Sequence, residues 1–200
     1  RYFKAAAEPM RRFFELCEQR WMGQPGPPYW LKHYRNESQA ILFPSDICRQ
    51  LRGLLNQASQ AKEETVRRRV KLVSDAFGVT ERFVAFKEAR DRVARIGLAP
   101  GADWKVAVSA LKFYLSARRE FIRYTINLQL SEPLAMARFG WDDYLKNDPV
   151  ADVLLTVQAA ATARGEGTEA DALLRSWSEP LVSGLWQSLS ATSLNQEKEL

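Results

Sequence analysis

Apolar residues recur along this chain at steps of three and four, so the elements they predict are helices. Met10, Phe13, Phe14, Cys17 and Trp21 fall on one face of an amphipathic helix that runs to about Trp21, with Pro9 in its first turn. Gly-Gln-Pro-Gly-Pro-Pro at 23–28 cannot continue a helix and forms a rigid loop. A second helix starts at Ser45, which reads as an N-cap with Asp46 near the positive end of the dipole. Ile47, Leu51, Leu54, Leu55 and Ala58 line its buried face.

The longest predicted element runs from about Glu64 to Ile96 and carries two apolar stripes. Val66, Val70, Val73 and Phe77 form one; Leu72, Ala76, Val79, Phe83 and Phe86 form the other. A helix with so broad an apolar surface has neighbours on more than one side, which makes it the expected centre of the domain. Gly78 in its middle marks a kink or a close helix crossing. A Gly/Pro segment from Gly97 to Gly101 closes it, and Asp103 is positioned to cap the next helix. That helix reads Val106, Ala110, Phe113, Ala117, Phe121, Tyr124 and Leu128, and the short connection makes it antiparallel to its predecessor.

Pro133 and Gly140 interrupt the pattern, Asp148-Pro149 opens another helix through Val150, Val153, Leu154 and Val157 to about Ala163, and Arg164-Gly165-Glu166-Gly167 is a polar turn. Thr168 then caps a last helical pair interrupted by Pro180. No stretch alternates convincingly over five or more positions, so no sheet is expected. The predicted fold is all-α: an irregular bundle of about six helices, two of them long and antiparallel, in one domain over 1–191 with a frayed tail or linker at 192–200.

Composition changes this picture little. With 46% hydrophobic residues in 200, the chain can bury a core without staples, and Cys17 and Cys48 each lie on an apolar stripe, where a free thiol behaves as a small hydrophobe. A bridge between them would need an oxidising export route. The net charge of +5 arises from 29 basic residues interleaved with 24 acidic ones, which argues against nucleic acid as a partner. In the one dense basic run, Arg67-Arg68-Arg69, successive side chains point about 100° apart, as on a solvated helix surface. No apolar run reaches the roughly 18 residues that span a bilayer, so no membrane partner is expected. Neither an initiator Met nor a signal peptide precedes Arg1-Tyr2-Phe3-Lys4, which reads as structured sequence, so the chain is expected to begin in mid-protein.

Candidate chemistry is sparse. A single histidine, His33, rules out two-His zinc sites within the chain, and no Gly-x-Ser-x-Gly elbow accompanies it. Phosphate-cradling glycine motifs are absent, and neither a cofactor nor a metal is expected. The neighbouring carboxylates Asp142-Asp143 and Glu63-Glu64 read as helix starts or solvated faces, and Glu15 and Glu18 as structural ion-pair partners. The aromatic cluster Tyr29, Trp30, His33 and Tyr34 is the one candidate binding site. Its rings either fill the groove between the first two helices or stack on a sugar.

Three segments carry a family resemblance: Ala7-Glu8-Pro9-Met10-Arg11-Arg12-Phe13-Phe14-Glu15-Leu16-Cys17-Glu18-Gln19-Arg20-Trp21; Phe43-Pro44-Ser45-Asp46-Ile47 leading into Leu51-Arg52-Gly53-Leu54-Leu55; and Arg67-Arg68-Arg69-Val70-Lys71-Leu72-Val73. Together they resemble the helical region that follows the barrel in a bacterial family of α-glucuronidase-like, glycoside-hydrolase-type proteins, over roughly residues 1–90. The resemblance implies a multidomain, exported protein, extracellular or periplasmic, that acts on polysaccharides. Its catalytic barrel would lie upstream of Arg1 and be the partner of this domain, with carbohydrate as a possible ligand of the aromatic cluster. No catalytic residue is carried onto this chain, since the family's carboxylates would lie on the barrel. The rival is a free-standing helical interaction module that binds an acidic partner or nucleic acid; a helical enzyme using His33 is a third reading.

Overall fold

The computed structural model describes residues 2–23, 39–97 and 104–132, together with scattered positions between 154 and 175. A 3₁₀ turn at Lys4–Ala6 leads into α1 (Ala7–Met22). There follow a single turn, α2 (Gln39–Leu42), and three longer helices, α3 (Ser45–Ala58), α4 (Glu64–Gly97) and α5 (Trp104–Ser131). The fold is all-α, and no strand occurs among the described residues. The chain divides into two compact units, one of Arg1–Arg92 with Ser116–Pro149 and one of Val93–Leu115 with Val150–Leu200.

In the first unit, α1, α3 and the start of α4 surround one core. Met10 and Phe13 of α1, Leu51 and Leu55 of α3, and Val66 and Val70 of α4 are buried in a single cluster with Cys48 and Ala58. Phe13 meets Phe77 edge-on at 5.4 Å, which fixes α1 against the first stripe of α4. Phe14, assigned to the α1 core face by periodicity, is 47% exposed: it lies at the margin, where it packs edge-on to Phe13. Arg20, in the last turn of α1, donates to the carbonyls of Leu42 and Ile41 just before α3, while the 3₁₀ turn at the other end of α1 packs on α3. The two helices therefore run antiparallel.

Helix α3 begins with a cap that differs from the expected one. Ser45 is the first helical residue and Pro44, in extended conformation, holds the N-cap position without a side chain to offer. The carboxylate of Glu88, on α4, supplies the cap from outside: it accepts from the Ser45 backbone N–H at 3.2 Å and from the Ser45 hydroxyl at 2.6 Å.

The second stripe of α4 meets the C-terminal half of α5, again within the first unit. Phe121 stacks on Phe86 at 5.5 Å and contacts Phe83 at 5.7 Å, Arg82 pairs with Glu120 at 2.9 Å, and the Tyr124 hydroxyl donates to the Asp75 carbonyl at 3.0 Å. Rising residue numbers on α4 meet falling ones on α5, so these segments are antiparallel. Gly78 is the crossing point: a Cβ there would sit 2.7 Å from Tyr124 Cζ, so only glycine lets the ring lie against the α4 backbone.

In the second unit the buried residues of α5 are Ala107, Val108, Leu111, Tyr114 and Leu115, together with Ala110. This corrects the expected stripe, since Val106 and Phe113 are 46% and 59% exposed. Apolar residues occupy most of the circumference here, so a 3.6 period alone does not single out one face. Positions 154, 155, 159 and 162 are helical, and the Gly165 N–H, at φ +73°, closes a turn on the Thr162 carbonyl at 3.1 Å.

Candidate functional site

Tyr29, Trp30, His33 and Tyr34, the candidate site read from sequence, lie outside the described residues, as do Asp142-Asp143 and the capping residue Asp103. Glu63 and Glu64 do mark a helix start. Glu63 pairs with Lys4 at 2.6 Å and its carbonyl accepts from Val66 and Arg67, while Glu64 pairs with Arg67 one turn on. On α1, Glu15 pairs with Arg11 at 2.5 Å; Glu18 is exposed.

The basic run on α4 is largely engaged by the chain itself. Arg67 donates to the Ala61 and Lys62 carbonyls at 3.2 and 2.6 Å and so ties the preceding turn to the helix. Arg69 lies over the Tyr2 ring at 4.2 Å and donates to the Tyr2 carbonyl at 2.6 Å. Arg68 points outward, exposed. These contacts use carbonyls and a ring, so two of the three guanidinium groups act as local staples.

A polar network joins α3, α4 and α5 beside Gly78. Arg52 donates from Nε to Glu81 at 2.9 Å and from Nη1 to the Ser74 hydroxyl at 2.5 Å, with a further bond from Nη2 to Glu81. Its guanidinium faces the Phe77 ring at 5.6 Å, and the carboxylate bonds hold its pKa above the ordinary range. Arg82 packs on the Tyr124 ring at 3.6 Å and donates to the Gly78 carbonyl at 3.1 Å. Burial pushes the Tyr124 phenol pKa upward, with the Asp75 charge adding to the effect. Arg52 through all three nitrogens, and Arg82 through Nε and Nη1, meet protein acceptors on neighbouring turns and helices, which makes the network a helix-registering device.

Both cysteines are free thiols. Desolvation raises Cys17 to about 11 and Cys48 to about 12, the latter helped by Glu81 and Glu88, so both are protonated at neutral pH. Cys48 also donates to the Phe43 carbonyl at 3.1 Å. Neither has the thiolate character of a nucleophile.

A groove of about 510 Å³ lies between α1 and α3, in the range of roughly 300–1,000 Å³ typical of ligand sites. Leu16 and Leu54 form its apolar part, and Arg12 and Gln19 from α1 face Arg49 and Gln57 from α3. Gly53 lies in its wall with no atom within 4 Å of the place a Cβ would take. Periodicity assigned Leu54 to a buried face and passed over the polar lining, because arginines and glutamines on the outer face of an amphipathic helix look like ordinary solvated surface. The one available signal was Gly53, a glycine inside an otherwise strong helix. Among the described residues no three metal-ligating side chains converge, and no helix is long and apolar enough to cross a membrane.

Comparison with known proteins finds no matching family model, no matching curated protein and no matching solved structure.

Proposed function

We propose that the chain is a non-catalytic helical accessory domain, of about six helices, in a larger polysaccharide-acting, glycoside-hydrolase-like protein, and that it packs on a catalytic barrel encoded upstream. The observation that carries this reading is the convergence of the three family-like segments. Residues 7–21 supply Met10 and Phe13, residues 43–55 supply Leu51, Leu54 and Leu55, and residues 67–73 supply Val70 to the same buried cluster. Segments distant in sequence that share one core belong to one packed unit, as the resemblance requires of a single domain.

In this reading the domain works through its surfaces, and Tyr29, Trp30, His33 and Tyr34 are the residues offered to carbohydrate near the barrel's cleft. An exported parent, extracellular or periplasmic, goes with it. The test is to sequence the parent gene upstream of the Arg1 codon. A reading frame encoding a barrel of several hundred residues is the expected result; a start codon close upstream, or a preceding domain of another class, overturns the proposal.

A further inference from the structure

We propose that the groove between α1 and α3 is a docking site for an acidic, extended peptide segment of a partner protein. Among the described residues, Arg12 and Arg49 form no hydrogen bond or close ion pair, although most other arginines of the first unit do; Arg12 acts on Glu8 through its charge alone. The two arginines stand on opposite walls. Because α1 and α3 run antiparallel, the Gln19 end of the groove is the end where α3 begins with Arg49 close by, and Arg12 lies two helical turns away, about 10 Å along the axis.

That separation matches carboxylates three residues apart on an extended strand, at about 3.3 Å per residue. Arginine is the side chain suited to them, since its planar fork binds a carboxylate through two parallel bonds. Gln19 and Gln57 carry amides that both donate and accept, as an extended backbone demands. Glu15, the one acidic group in the lining, pairs at 2.5 Å with Arg11, which also holds Glu8, so with Arg12 and Arg49 the lining itself carries two positive charges against one negative. Leu16 and the buried Leu54 give the strand an apolar floor, and the bare backbone at Gly53 lets it approach closely. No aromatic ring lines the groove, so it lacks the platform on which sugar faces or unpaired bases stack.

The groove offers the same charge pair whether or not a barrel precedes the chain, so failure here leaves the accessory-domain reading standing, and the reverse holds. The probe is a fluorescein-labelled peptide of Glu-Thr-Thr repeats, titrated with the full chain and followed by anisotropy at low salt. Arg12→Ala and Arg49→Ala are each expected to weaken binding about tenfold, as for loss of a charge-assisted bond pair. Arg68→Ala, which removes an exposed arginine outside the groove, is expected to leave it within about twofold. Gly53→Leu fills the wall and is expected to weaken binding while circular dichroism stays unchanged; Arg49→Gln, which keeps the chain length, reports the charge without the truncation. Equal affinity for a Gln-Thr-Thr peptide, equal loss in Arg68→Ala, no measurable binding, or tighter binding of a single-stranded DNA of the same charge overturns the proposal.

Discussion

Gly78 and Gly53 both sit inside helices, where glycine costs about 1 kcal/mol relative to alanine, yet their surroundings give them opposite mutational outcomes. Gly78 faces the Tyr124 ring, and a Cβ would press on it at 2.7 Å from Cζ, so Gly78→Ala is expected to destabilise the chain by about 1–3 kcal/mol despite the better helix propensity. Gly53 has open space around it, so Gly53→Ala is expected to stabilise by about 0.5–1 kcal/mol. Urea unfolding of the two variants checks the pair together. The thiols are a second matter of surroundings. Cys17 and Cys48, raised from 9.0 to about 11 and about 12, bind their protons more tightly folded than unfolded. Their contribution to stability is therefore complete below pH 9 and is lost as pH rises through the folded values. At pH 8 iodoacetamide should label both thiols slowly in the native chain and rapidly in urea; fast native labelling would contradict the burial described for α1 and α3.

At the scale of the helices, what could be read from sequence depended on how narrow the apolar face was. The α3 stripe and the first α4 stripe emerged with nearly all their members, Leu51, Leu54, Leu55 and Ala58 on one and Val66, Val70 and Phe77 on the other: polar residues fill the rest of the α3 circumference, and Arg67, Arg68, Arg69 and Lys71 flank the stripe at the start of α4. On α5 the same period led to Val106 and Phe113, which are exposed, and missed Leu111 and Tyr114, which are fully buried. That helix is apolar nearly all round, and its neighbours decide which face is covered. The cap of α3 was illegible for a different reason. A local pattern pointed to Ser45, but the group that accepts from its N–H is Glu88, distant in sequence. Glu88→Ala is accordingly expected to cost about 1 kcal/mol, the usual worth of an N-cap, measured as a lowered urea midpoint. Of the candidate sites, the aromatic cluster at 29–34 was legible as composition, whereas the α1–α3 groove was not, since Arg12 and Arg49 come to line one groove only after folding.

For the whole molecule, the net charge of +5 includes Arg67 and Arg69, which on the described surface serve carbonyls and a ring. Binding to generic DNA is therefore expected to be weak, with a shallow dependence on salt corresponding to no more than about two phosphate contacts; a steep slope in a fluorescence titration would reinstate the nucleic-acid reading. Helix α4 is the element on which the first unit depends. One of its stripes closes the core with α1 and α3, the other receives Phe121 and Tyr124 of α5, and Arg52–Glu81 with Glu88 tie it to α3 at two further points. Burial of this kind belongs to the part of a domain that opens only on global unfolding. Native-state amide hydrogen exchange tests that claim most directly. The account predicts that amides of α4 between Val66 and Phe86 exchange slowest, together with those of Leu51–Ala58 in α3 and with the same opening free energy. Exchange in that stretch of α4 as fast as at the exposed first turn of α1, or an opening free energy separate from that of α3, would contradict it.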